Sequence, residues 1–221
     1  VHRILEPEWL DALPPYDTRA QRSRADLRRV NLIMGNVGHI ARALPPSALR
    51  VADLGAGDGS VMLRVARQLR RPGEVTLVDR APCADLHEFE RVRWRAKLAC
   101  EDALDFLRRP GPRFDAIVAN LFLHHFAPAP LRRLLELAAQ RTSLFVACEP
   151  QRSRFALQAS RLLGLLGCNE VTRHDAPVSV RAGFAGRELS DSWPRQRGWQ
   201  LAEGPARPFA HLFVARRDAP L

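Results

Sequence analysis

Val51-Ala52-Asp53-Leu54-Gly55-Ala56-Gly57-Asp58-Gly59-Ser60 is an apolar strand that ends in an acid and passes into three alternating glycines. A side chain at Gly55, Gly57 or Gly59 would hold the backbone away from a ligand. Bare backbone turns tightly and presents N–H groups at the start of the following helix. Such loops serve nucleotide cofactors. The dinucleotide fingerprint G-x-G-x-x-G fails, because its third glycine would fall at Ser60 when counted from Gly55 and at Met62 when counted from Gly57.

Outward from this loop, short apolar runs alternate with helical segments, which predicts an α/β domain with a largely parallel sheet. Strand 50–54 leads to helix 59–70, strand 74–79, a strand through Val92, Trp94, Ala96 and Leu98, and helix 102–109. Strand 114–119, helix 130–140 and strand 143–148 complete five units. Upstream, apolar positions from Leu27 to Leu44 predict one helix over 20–44, opened by Ser23 with Asp26 as a capping box. Residues 1–47 read as an N-terminal helical extension or lid and 48–221 as the core. A helix over 152–166 follows Pro150. Val171 to Phe184 fits neither period, so about 151–195 reads as a substrate-side insertion. Trp199–Glu203 and Phe209–Arg217 predict a closing hairpin.

The strand followed by acid-x-Gly-x-Gly-x-Gly resembles motif I of the class I S-adenosylmethionine methyltransferases, and the resemblance extends over about residues 48–217. It implies a Rossmann-like sheet, mostly parallel with an antiparallel C-terminal strand and helices on both faces, with S-adenosylmethionine as cofactor. In such sheets ligands lie beyond the carboxyl ends of the strands. The resemblance places Asp79, with Arg80 beside it, at the ribose. It places Asp102 and Ala103 at the adenine, and Asp53 with Gly55, Ala56, Gly57 and Gly59 around the amino-acid end. Arg29 or Arg24 would meet the cofactor carboxylate, and Asn120-Leu121 would lie where the methyl group meets substrate. Asp79 and Asp102 also read plainly as capping acids.

The stretch Asn120-Leu121-Phe122-Leu123 departs from [DN]-P-P-[YF], the motif that positions exocyclic amines of bases, which disfavours a base methyltransferase. His124 and His125 follow the fourth strand directly and are candidate general bases, since a neutral imidazole can take the proton of a phenol. Packing of the strand-to-helix turn is the plainer reading of both. His174 beside Asp175 is a third candidate, against an Asx turn before Pro177. Glu149 either bonds a substrate hydroxyl or ends its strand. Phe122, Phe126, Phe155, Leu162, Phe184 and Trp193 are candidates for an apolar pocket lining.

The net charge of +10 rests almost wholly on arginine, Lys97 being the only lysine, and the arginines are interspersed with acids. That pattern favours solvated surface over a nucleic-acid track. Arg19, Arg22, Arg24, Arg28 and Arg29 form the densest cluster. Cys83, Cys100, Cys148 and Cys168 lack metal spacing, so reduced thiols, no metal and a cytoplasmic protein are expected, with no membrane span. These observations lead to a methyltransferase of a small apolar natural product, acting on a phenolic or enolic oxygen. Carbon methylation is the first alternative, and a nucleic-acid methyltransferase or a non-catalytic S-adenosylmethionine binder the second. The segments Arg28–Asn36 and Thr172–Asp175 resemble bacterial methyltransferases encoded near type III polyketide synthases.

Overall fold

The computed structural model describes residues 2–14, 16–81 and 84–218. Cys83, named in the sequence reading, lies outside the described residues. In chain order the elements are α1 (Trp9–Ala12), α2 (Thr18–Met34), α3 (Asn36–Ala43), β1 (Arg50–Leu54), α4 (Ser60–Leu69), β2 (Gly73–Asp79), α5 (Leu86–Arg91), β3 (Trp94–Cys100), α6 (Ala103–Arg108) and β4 (Ala116–Asn120). A 3-10 turn (Leu123–His125), α7 (Pro128–Arg141), β5 (Leu144–Pro150), α8 (Arg154–Arg161) and a second 3-10 turn (Leu163–Leu166) follow. The chain ends with α9 (Glu170–Ala182), α10 (Glu188–Ser192), β6 (Trp199–Ala206) and β7 (Ala210–Arg217).

The strands form one sheet in the order β3-β2-β1-β4-β5-β7-β6. The first five are parallel, and β7 runs antiparallel to both β5 and β6. Strand alternation explains why both faces are covered. Ala52 and Leu54 of β1 join Ile117, Ala119, Phe145 and Ala147 on the face covered by α6 and α7. Val51 joins Ala116, Val118, Leu144 and Val146 under α3 and α4. The order reverses between β1 and β4, whose pairing runs from Val51 opposite Ala116 to Leu54 opposite Ala119. A crevice therefore opens beyond Leu54 and Asn120.

Three readings need correction. The single helix over 20–44 is two, because Gly35 takes φ +69° and closes α2 with its N–H on Asn31 and Leu32. Helix α2 is capped by Asp17, not Ser23. Ser23 and Asp26 are buried inside it, Ser23 bonding Thr172 at 2.9 Å and Asp26 accepting the Asn169 N–H at 2.8 Å. The irregular stretch after Val171 is the helix α9, which carries Pro177 within it. No helix of the described residues is long and apolar enough to cross a membrane.

Candidate active site

The crevice is the floor of a cavity of about 1140 Å³, lined by strand ends of the sheet and by α2, α8 and α9. At one end are Gly55, Ala56, Gly57, Asp79, Arg80, Asp102, Ala103, Asn120 and Leu121, as the sequence predicted. Gly57 holds φ +54°, and a Cβ built on it would meet nothing within 4 Å, so its bare face opens on free space. Its N–H donates to Asp79 Oδ2 at 2.9 Å, and Ala81 N–H donates to Oδ1 at 2.9 Å. Each Asp79 oxygen thus keeps a lone pair for a further donor, as two vicinal hydroxyls require. Asp102 is a capping acid that also lies on the cavity wall. It accepts Leu104 N–H at 2.8 Å and pairs with Arg80 at 2.6 Å. Leu121 holds φ +50° and hydrogen-bonds Cys148 O, a strained backbone that aims its side chain at the cavity.

Four predicted cofactor or catalytic residues do not reach this wall. Asp53 is buried on the Val51 face of β1, between Leu77 and Val118. Burial and then the charge of Asp79 push its pKa up to about 8. Gly59 starts α4 at φ +69°, and an added Cβ would lie 2.9 Å from Ala84, so this glycine serves packing. Arg29 is exposed and faces Asp26, while Arg24 and Arg28 line the cavity, Arg28 pairing with Asp58 at 2.7 Å. His174 stacks on Trp9 with centroids 3.8 Å apart, outside the cavity. Its neighbour Asp175 forms no Asx turn. Asp175 accepts His174 Nδ1–H together with the backbone N–H groups of Trp9 and Leu10. Gly55 lines the cavity, yet its missing Cβ makes way for the Phe122 ring, which would lie 2.2 Å from one. Of the aromatic and leucine lining, Phe122, Phe126 and Leu162 line the cavity. Phe155 stacks outside on Phe209, and Phe184 and Trp193 belong to the core.

The two adjacent histidines are driven apart. His124 is buried, with Nδ1 at 2.7 Å from Glu149 and Nε2 at 3.4 Å from Glu8. Burial disfavours its cation, but the hydrogen bonds of Glu149 and Glu8 prevail and hold it up at about 9. Glu149 is fully buried and also accepts the N–H groups of Phe122 and Leu123, so it holds the turn and does not face substrate. His125 opens to the cavity, with Nδ1 3.5 Å from Asp11. Burial and the positive charge of His124 lower its pKa, leaving it neutral. Groups with opposed shifts at one site are the pattern of acid–base assignment. Ligand atoms of Glu8, His124 and His125 lie within 4.8 Å of one another. Of these atoms, His124 Nδ1 is already engaged by Glu149 at 2.7 Å.

Glu8 and Asp11 were not foreseen, since nothing local ties them to histidines more than a hundred residues away. The N-terminal strap that carries them is anchored by Arg3, which donates to the carbonyls of His124, Phe126 and Ala182. Asn31 was missed likewise: it accepts Asn120 Nδ2–H at 2.9 Å, and buried Asn36 donates to both.

Residues 51–143 match a known family. A methyltransferase domain is what this stretch matches. No curated protein matches the chain. Among solved structures, the plantazolicin methyltransferase BpumL in complex with SAH is similar at TM-score 0.67 and 13% identity, over 91% of each chain. The pyocyanin biosynthetic protein PhzM gives 0.62 at 16% identity, over 95% of this chain and 60% of that one. The mitomycin 7-O-methyltransferase MmcR gives 0.60 at 19% identity, over 94% and 60%. At these identities the likenesses show a shared fold.

Proposed function

We propose that the protein methylates a hydroxyl oxygen of a small, largely apolar molecule, with His125 as general base. The observation that carries this is a single cavity in which the open face of Gly57 and the Asp79 carboxylate share walls with a neutral His125. S-adenosylmethionine, when bound, supplies a methyl group already activated on a sulfonium. The backbone of Gly55 to Gly57 and the side chains of Asp79 and Asp102 are the groups that would hold it, with Ala103 offering a backbone N–H.

The chain's own residues then account for the rest. Phe122, Phe126 and Leu121 give walls that exclude water, and the Asn31–Asn36–Asn120 network fixes the end of β4 where substrate is aligned. His125 accepts the hydroxyl proton, with Asp11 beside its Nδ1 to balance the imidazolium that results. Protonated His124 between Glu149 and Glu8 stays fixed and keeps His125 neutral. Residues through 47 form the cover of the site in this reading, because α2 and the strap contribute Arg24, Leu27, Arg28, Glu8 and Asp11 to its lining. Cytoplasmic residence is part of the proposal, in keeping with the free thiols Cys100, Cys148 and Cys168.

MmcR is by its name a 7-O-methyltransferase, which favours oxygen over carbon as the acceptor here. The test is mass-spectrometric detection of methyl transfer across a panel of phenols, with the position of the new group fixed by NMR. Oxygen methylation that is lost in His125→Gln supports the proposal. Exclusive carbon methylation, or full activity of His125→Gln, overturns it.

A further inference from the structure

The cavity exceeds the roughly 300–1,000 Å³ usual for one ligand. Its wall away from Asp79 and Asp102 is built by α2, through Leu27, Ile33 and Met34, and by α8 and the turn after it, through Ala159, Leu162 and Leu166. Both elements pack on α9. On α8, Ala156, Ala159 and Ser160 are spaced so that one helical face turns small side chains to the cavity. The polar atoms of this wall are already committed: Ser160 Oγ donates to Leu157 O at 2.8 Å, and Thr172 bonds Ser23 and Asp26.

The same wall continues to the surface. Leu162 and Leu166 line the cavity and are nevertheless 58% and 57% exposed, and Leu165 between them is 83% exposed. Ile33, on α2, also lines the cavity and is 44% exposed. Of the large apolar side chains that the described residues expose, Leu32 and Ile33 lie on α2, and Leu162, Leu165 and Leu166 follow one another from the end of α8 through this turn. Contiguous exposed apolar surface that grades into a cavity marks a binding groove. The opposite end is polar, with His125 and Asp11.

We propose that the acceptor is an amphiphile, a hydroxylated ring bearing an unbranched aliphatic chain, whose ring lies at His125 and whose chain leaves between α2 and the Leu163–Leu166 turn. This rests on the methyltransferase reading for the role of His125, but the groove itself does not depend on it. Continuity of the exposed leucines with the lining of the reaction cavity assigns the groove to the acceptor's own chain.

Calorimetric titration of the protein, saturated with S-adenosylhomocysteine, by 4-ethylphenol, 4-pentylphenol and 4-nonylphenol tests it. Each methylene that enters the groove should tighten binding about two- to fourfold, the upper figure following from ~0.8 kcal/mol per buried CH₂. Leu162→Asp and Leu166→Asp alter positions that are more than half exposed. They should bring that factor toward one while S-adenosylhomocysteine binds as in the unaltered protein. Affinity indifferent to chain length, or a factor unchanged in both variants, overturns the proposal. So does a flat phenol series combined with Leu166-dependent sedimentation on phosphatidylcholine–phosphatidylglycerol vesicles, which would assign the leucines to a membrane. Failure of S-adenosylhomocysteine to bind, with the chain-length factor intact, would refute the methyltransferase reading and leave the groove standing.

Discussion

Replacing Gly57 by alanine separates room left for a ligand from room needed by the fold. The new methyl group meets no protein atom within 4 Å, so its cost to folding is that of a left-handed backbone at φ +54°, about 1–2 kcal/mol. For a chain of this size that lowers Tm by roughly 2–8 °C. The methyl projects into the cofactor end of the cavity, where overpacking against a bound nucleoside costs about 2 kcal/mol, or roughly thirtyfold in Kd. Gly59→Ala is the internal contrast. Its φ of +69° carries the same backbone cost, but the methyl collides with Ala84 at 2.9 Å and crowds Leu77 at 3.1 Å. It should therefore lose about 2–5 kcal/mol of stability, and the folded fraction should bind cofactor normally. Urea unfolding and calorimetric titration with S-adenosylmethionine on both variants are the assays. Unaltered affinity in Gly57→Ala, or a Gly59→Ala protein that is stable but does not bind, would refute the placement of the cofactor against Gly57.

Asp79→Ala should weaken S-adenosylmethionine by about 10- to 100-fold in a calorimetric titration, because it removes a charged acceptor with a free lone pair on each oxygen. His125→Gln should lower kcat by about 10²–10⁴ with cofactor affinity unchanged. In the unaltered enzyme the rate should fall only as pH drops through the His125 pKa, which lies below the ordinary value of about 6.5. A pH–rate profile identical in His125→Gln would eliminate the base. His124, raised from 6.5 to about 9, stabilises the fold fully below the unfolded value, and this contribution, of the order of 3 kcal/mol, is lost as pH rises through about 9. Asp53, raised to about 8, acts in the same direction at lower pH. The difference in urea stability between the unaltered protein and His124→Gln should therefore shrink between pH 6 and pH 10, and a constant difference would contradict the ion-pair account.

Most of the parallel strands were legible as short apolar runs, and β2 and β4 end in the polar residues Asp79 and Asn120 at the crevice. Helix α9 was not. Its buried positions Val171, Asp175, Val178 and Ala182 keep helical spacing, but an acid stands in the stripe and Pro177 interrupts the pattern. Asp175 is buried there because the strap brings two backbone N–H groups to it, a contact no local pattern records. The break at Gly35 was hidden because apolar residues recur on both sides of it. That Asp79, Asp102 and Asn120 would line the cavity was legible because topology alone sends strand ends, and the residues just after them, to the crevice. The choice between His124 and His125 needed the positions of Glu149 and Glu8. Of the two arginines expected at the cofactor, Arg24 lines the cavity and Arg29 turns outward, because a helix position rotates by about 100° per residue, and only packing on the core shows which face turns inward.

The most direct test is the structure of the protein with S-adenosylhomocysteine bound. The account predicts the ribose hydroxyls on Asp79, the adenine against Asp102 and Ala103, and the homocysteine sulfur directed at the space between Asn120 and His125. A ligand bound elsewhere, or one whose sulfur faces away from His125, would contradict it.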